Sequence, residues 1–179
     1  MLKARGRGCG IFSYFYFAKI SIMKIKFISH KVYPQFQVYI EDKIVIHIKI
    51  DTQINAFRIT CPENKRVFFI ANEMVKKTKI TTLSNEYNQQ LGSLIKSKTD
   101  HNMGQVEIEG SAYTYMLNSD SPEINLFEHN NFQPILNCKL ELQQFSFPNE
   151  DYMSYLLFSL AWFKFLTKEV SLFAHSAET

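Results

Sequence analysis

The chain has 179 residues, which suits one domain with a sizeable core and is short for two. Its 20 basic and 17 acidic residues leave a net charge of +3, and the basic residues are too scattered to form the surface that nucleic acid requires. The apolar share of 46% excludes a disordered chain. We therefore expect a single folded domain without a nucleic-acid partner.

The first 22 residues combine a basic start with an aromatic run, "MLKARGRGCGIFSYFYFAKISI". Lys19 interrupts the apolar stretch, and no small-residue cleavage site follows it, so a secretory signal is disfavoured. We predict that residues 1–22 are an N-terminal extension, with a mis-assigned start and Met23 as the true first residue as the alternative. One domain is predicted to span residues 23–170, and residues 171–179 to form a C-terminal tail.

From residue 24 to residue 144 the apolar residues recur with a period of two. The clearest stretch is "KIVIHIKID" (43–51), in which Ile44, Ile46, Ile48 and Ile50 are predicted to share a buried face. Short strands at regular spacing with turn residues between them indicate an antiparallel meander. The predicted strands span 24–28, 36–40, 43–51, 56–60, 66–71, 76–83, 91–97, 105–110, 112–117, 123–128 and 135–142.

The segment after Pro148 has the charge order of a helix. Acidic residues stand at its start and Lys164 and Lys168 near its end, as the helix dipole favours, so we predict a helix from Glu150 to Lys168, about 28 Å long. The run without charge, residues 152–163, is shorter than the roughly 20 apolar residues that a membrane span needs.

This helix also lacks a polar face, because Ser154 and Ser159 are the main interruptions of an apolar surface that surrounds it. A helix that is apolar all round is buried all round. The sequence therefore predicts a mainly β fold, a closed antiparallel barrel of about 10 to 12 strands around a central hydrophobic helix. Ser154, Ser159 and Ala161 are predicted to be the small positions at which the barrel wall comes close.

The sequence has little that would carry catalysis or bind a metal. Cys9, Cys61 and Cys138 form no C-x-x-C pair, and the five histidines lack the spacing at which one strand or helix places two imidazoles on a metal. Glu107 and Glu109 are predicted to be solvated carboxylates on an exposed strand face. We expect no catalytic residues, no metal and no cofactor.

A cluster of lysines is the candidate binding site. Lys76, Lys77 and Lys79, together with Lys96 and Lys98, would form a cationic patch if the two predicted strands pair. Such a patch attracts anionic lipid headgroups. The alternative interpretation is a solvated lysine face that protects a strand edge.

Several phrases resemble the tubby-like C-terminal superfamily, which includes LURP-one-related proteins and phospholipid scramblases. The stretch "RVFFIANEMVKKTKITTLSNEYNQQLGSLIKS" (66–97) is similar to the family's repeated strand and turn phrase. In it Gly92 keeps the second glycine and Asn88 stands in place of the first. The stretches "GQVEIEGSAYTY" (104–115) and "LLFSLAWFKFL" (156–166) are similar to the next hairpin and the terminal helix.

The resemblance implies a closed barrel around a C-terminal helix and a non-enzymatic binding or interaction module. It also implies a protein peripheral to membranes, whose partner is an anionic phospholipid surface or another protein. The odd number of cysteines without a C-x-x-C pair separately indicates reduced thiols and a cytoplasmic location. The sequence lacks the acidic calcium-binding stretch and the cysteine cluster of scramblases, so scramblase activity is not expected. The alternative function is a START-like or lipocalin-like carrier of an apolar ligand, which requires a hollow interior.

Overall fold

The computed structural model describes most of the predicted domain. It describes residues 22–28, 33–62, 64–118, 120–128, 131–141 and 150–176, and within the last range the side chains of 152–168. The predicted N-terminal extension, apart from Ile22, lies outside the described residues, as does the end of the predicted tail, residues 177–179.

Eleven strands follow one another before a single helix. They are β1 (Ile22–Ile28), β2 (Gln35–Ile40), β3 (Lys43–Asp51), β4 (Ala56–Cys61), β5 (Asn64–Val75), β6 (Thr78–Ser84), β7 (Gln90–Lys96), β8 (Met103–Ile108), β9 (Ser111–Asn118), β10 (Glu123–Glu128) and β11 (Leu136–Glu141). The helix is α1 (Glu150–Ser176).

Each strand pairs with its neighbours in the chain, and β1 pairs with β11 to close the barrel. Neighbours in the chain are antiparallel, whereas β1 and β11 are parallel. This follows from the strand number, because in a meander with an odd number of strands the first and the last run in the same direction. The predicted barrel is confirmed, with a parallel pair at its closure.

Inward side chains continue across this closing pair. Met23 lies opposite Cys138, and Ile25 lies opposite Leu140. All four are nearly inaccessible to solvent, and the sulfur atoms of Met23 and Cys138 are 3.9 Å apart. The parallel closure is therefore packed from inside like the rest of the wall, and Cys138 is a small residue of this core.

The helix fills the interior of the barrel. Every residue from Met153 to Phe163 is at most 8% exposed, which means that all faces of three successive turns are covered. The helix lies near β3 and, on the opposite side of the barrel, near the adjacent strands β8 and β9. The small residues Ser154, Ser159 and Ala161 are all buried, and the hydroxyl of Ser159 donates to the Tyr155 carbonyl at 2.7 Å.

Aromatic contacts join α1 to strands that the backbone approaches less closely. Ring pairs of this kind contribute about 0.5–1.5 kcal/mol beyond the area that they bury. They fix the rotation of the helix within the barrel, since each ring has a defined partner. The centroid distances are 5.7 Å for Phe27 and Tyr152, 5.3 Å for Phe57 and Tyr155, and 5.6 Å for Phe68 and Trp162.

One position of the isoleucine face was predicted wrongly. Ile44 was expected to be buried and is 49% exposed. The pairing of β2 with β3 shifts between Val38, which faces Ile46, and Tyr39, which faces Ile44, so Val45 is an extra residue in β3. This β-bulge breaks the alternation and turns Ile44 outward.

The helix also extends beyond its predicted end. Lys168 was taken as the last residue, but α1 continues to Ser176 and includes the first part of the predicted tail. The Nζ atom of Lys168 lies 2.6 Å from Oε1 of Glu128 at the end of β10. This hydrogen bond raises the pKa of Lys168, and it holds the emerging helix against the wall.

If α1 is the core of the barrel, Phe158→Ala should destabilise the protein by about 3–5 kcal/mol through the cavity that it leaves. Trp162→Ala should have an effect of similar size. Chemical denaturation followed by circular dichroism measures the change. Phe132, which is 98% exposed, provides the matched control, and equal stability losses in Phe158→Ala and Phe132→Ala would contradict this packing.

Candidate functional site

The structure brings the predicted lysines to one end of the barrel, the end at which α1 begins. Strands β6 and β7 pair with Ile80 opposite Ile95, so Lys79 and Lys96 are the next residues on adjacent strands. These two lysines line a small hollow together with Ser154 of α1. We call the five residues Lys76, Lys77, Lys79, Lys96 and Lys98 the basic end.

Lys76 and Lys77 occupy a tight turn, whereas the sequence was interpreted as placing them in a strand that begins at Lys76. The last pair of the hairpin is Val75 with Thr78, which leaves two residues to connect β5 with β6. Both have positive φ, 47° for Lys76 and 65° for Lys77, as a type I′ turn requires.

This turn is occupied by residues that are poorly suited to it. A left-handed conformation costs a non-glycine residue about 1–2 kcal/mol, and type I′ turns prefer Asn-Gly or Asp-Gly. Lys76 and Lys77 therefore make the turn less stable than Asn-Gly would, and they place two positive charges at the tip of the hairpin.

The hairpin projects beyond its neighbour on one side. Pairing between β4 and β5 begins with Ala56 opposite Phe69, whereas β5 continues to Val75. The five residues that follow Ile70 add about 16 Å of strand. All five are exposed, including Met74 at 71% and Val75 at 45%.

The lysines of the basic end differ electrostatically from those of the barrel wall. Among the described residues, Lys76, Lys77, Lys79 and Lys98 make no ion pair with a carboxylate. Several wall lysines are paired, whereas no described carboxylate, including the nearby Glu73 and Asp100, forms a contact ion pair with these four lysines. The wall pairs are Lys24 with Asp42 at 3.7 Å, Lys26 with Glu141 at 3.3 Å, and Lys139 with Glu123 at 3.5 Å.

Two hollows of about 210 Å³ each were not anticipated from the sequence. One lies outside β3 and β4, where Lys49 faces Arg58 across the strands and the Nζ atom of Lys49 lies 4.4 Å from the centre of the Tyr33 ring. The other lies at the opposite end of the barrel, over Trp162 and beside Arg66. Both depend on residues from separate strands, so only the pairing register would have revealed them.

Two cysteines and the pair Glu107 and Glu109 lie among the described residues. Burial raises the pKa of Cys61 to about 11 and that of Cys138 to about 12, so both thiols are protonated at neutral pH. Glu107 is exposed on β8, and Glu109 lies in the following turn with a φ of 49°. Within the described ranges, no group of three or more His, Cys, Asp or Glu residues is placed to hold a metal ion.

The turn phrase that resembles the tubby-like family has structural roles in this chain. The Oδ1 atom of Asn85 accepts hydrogen bonds from the backbone N–H groups of Tyr87 at 3.0 Å and Gln89 at 2.9 Å, and Asn88 adopts a φ of 59°. A Cβ atom on Gly92 would lie 2.0 Å from the carbonyl oxygen of Glu107 on β8. These residues form the β6–β7 turn and permit close strand pairing.

Comparisons with protein-family models, with curated proteins and with solved structures find no match. In the described part of α1, no stretch is long and apolar enough to cross a bilayer.

The strained turn generates a prediction about stability. Replacing it by Lys76→Asn with Lys77→Gly should stabilise the protein by about 1 kcal/mol, because the new residues tolerate positive φ. The midpoint of urea unfolding measures the change. Lys76→Gln with Lys77→Gln is the matched control, since it removes the same charges and keeps the strain. An equal gain in both double variants would show that charge repulsion, rather than backbone strain, had been relieved.

Proposed function

We propose that this chain is a non-enzymatic binding module that associates peripherally with anionic phospholipid surfaces through the basic end. The observation that carries the proposal is the concentration of lysines, four of them without a described carboxylate partner, at one end of a barrel whose wall lysines are often paired. The cytoplasmic leaflet is the anionic surface that fits a module of this kind.

The expected affinity is modest. A lysine close to an anionic leaflet contributes about 1 kcal/mol, so a handful of lysines supports weak and reversible recruitment. Such binding weakens with salt, because the Debye length falls from about 10 Å at 0.1 M to about 3 Å at 1 M. The proposed module therefore responds to the charge density of a membrane rather than to one lipid molecule in a pocket.

Edge protection accounts for the lysines less well. The closed barrel has few free edges, and β6 and β7 have partners on both sides over most of their length. Residues 71–75 of β5 do form a short open edge on the β4 side, but Lys76 and Lys77 lie in the turn beyond this edge rather than along it. Positive charge in a strained turn is better accounted for by an external partner of opposite charge.

The carrier alternative is supported less by the packing. A carrier of apolar ligands needs an internal cavity, commonly of about 300–1,000 Å³. Here α1 occupies the interior, and the two hollows of about 210 Å³ lie at the surface and at a barrel end. The alternative partner of the basic end is a protein, and the lipid experiment distinguishes this alternative from a membrane surface.

Co-sedimentation with vesicles tests the proposal. The protein should bind vesicles of phosphatidylcholine containing about 30% phosphatidylserine at low salt, and it should dissociate at about 0.5 M salt. Lys76→Glu with Lys77→Glu should weaken binding by about thirtyfold or more, since two favourable contributions of about 1 kcal/mol each become repulsive.

Lys43→Glu is the control, because Lys43 is exposed at the opposite end of the barrel. Lys43→Glu changes the net charge half as much as the double variant does. A loss of binding free energy half as large as that of the double variant would therefore indicate attraction by net charge and not by the basic end. Failure of the wild-type protein to sediment with anionic vesicles at low salt would refute the proposed function.

A further inference from the structure

We propose that the β5–β6 hairpin tip inserts the side chains of Met74 and Val75 into the bilayer interface, while Lys76, Lys77 and Lys79 stay among the headgroups. The inference rests on the proposed membrane association and specifies its mode. Charge attraction alone would leave the protein above the lipid surface, whereas insertion adds an apolar contribution that depends on two identified residues.

The exposure of these two residues is the first observation. A single exposed apolar side chain is ordinary in a folded protein. Met74 and Val75 are consecutive, 71% and 45% exposed, and they directly precede the strained turn. They belong to the part of β5 that has no partner on the β4 side, and as consecutive strand residues they lie on opposite faces of the hairpin, so each face of the tip carries one exposed apolar side chain.

The arrangement of charge around them is the second observation. Met74 pairs with Lys79 across the hairpin, and Val75 is followed at once by Lys76 and Lys77. Apolar atoms flanked by lysines match the boundary between acyl chains and anionic headgroups, because long lysine stems let the ammonium groups remain in the polar layer. Glu73, the carboxylate of the tip, lies one residue farther from the turn than Met74.

The shape of the hairpin is the third observation. Interfacial segments bury their apolar face about 5–10 Å below the headgroup boundary. The tip extends about 16 Å beyond the end of β4 on one side, whereas on the other side the β7–β8 connection, in which Ser97 still bonds to Met103, lies beside it. Met74 and Val75 can therefore reach that depth together with the neighbouring β7–β8 turn.

The occupant of this tip is a lipid surface rather than a protein groove. A protein partner would require a defined concave site of opposite charge. A bilayer has an anionic surface above an apolar interior at every point, so the hairpin tip needs no matching shape. The strained turn supports the same conclusion: Asn-Gly would form a better hairpin, but two neutral residues would give up the charge next to the apolar tip.

Binding of the double variant Met74→Ser with Val75→Ser tests the insertion. On vesicles of phosphatidylcholine with about 30% phosphatidylserine, its affinity should fall about tenfold relative to wild type. High salt should remove a larger fraction of the variant's binding than of the wild-type protein's binding. Ile44→Ser is the matched control, since it removes an exposed apolar side chain at the other end of the barrel and should leave binding unchanged.

Depth is measured directly with a fluorophore. In a Cys9→Ser background, Met74→Cys and Ile44→Cys are each labelled with nitrobenzoxadiazole; Cys138 is fully buried and Cys61 has a raised pKa, so both react slowly. The label at position 74 should shift to the blue on vesicles and be quenched by lipids brominated in the acyl chain. The label at position 44 should do neither.

The outcomes separate the two proposals. If the lysine variant loses vesicle binding while the serine variant binds like wild type and the label at position 74 stays in water, the insertion is wrong and surface association stands. If the wild-type protein does not bind anionic vesicles, both proposals are overturned. The insertion is supported if the label at position 74 shifts to the blue and is quenched, and if Met74→Ser with Val75→Ser loses affinity while Ile44→Ser does not.

Discussion

The burial of an apolar helix is the constraint on which the rest of the structure depends. Residues Met153 to Phe163 present apolar atoms on every face, so packing on one side of a sheet would leave much of this surface in water. A closed wall removes it from water in all directions. Barrels of eight strands are filled by their own side chains, whereas eleven strands leave room for a helix, and the strand number and the helix are thus matched.

That constraint also decides where function can lie. Because the interior is occupied by the protein's own side chains, binding is restricted to the outer wall and the two barrel ends. The wall is partly neutralised by ion pairs, and the end at which α1 begins carries Lys76 and Lys77 on a projecting hairpin. Local sequence and global fold agree along most of the chain and conflict at this turn, and again at Glu41 in the β2–β3 turn, where φ is also 47°.

Much of the fold could be predicted, because each strand has one face against a continuous core and so shows a period of two. The helix could be predicted from its lack of a polar face. The bulge at Val45 could not be predicted, since it depends on the register between β2 and β3. The pairing of Lys49 with Arg58 could not be predicted either, because it depends on the register between β3 and β4. The site was predicted in part: the lysines were identified, but the turn at Lys76 and the exposure of Met74 required the hairpin register.

The central claim, that α1 is the core around which the barrel closes, is tested most directly by native-state hydrogen exchange. The backbone amides of Leu156 to Phe163 should exchange only through global unfolding, with a free energy equal to that from chemical denaturation. The amides of the hairpin tip should exchange much faster. Exchange of the helix amides within minutes, while the strand amides of β3 and β8 stay protected, would contradict the claim, because it would mean that the barrel persists without its helix.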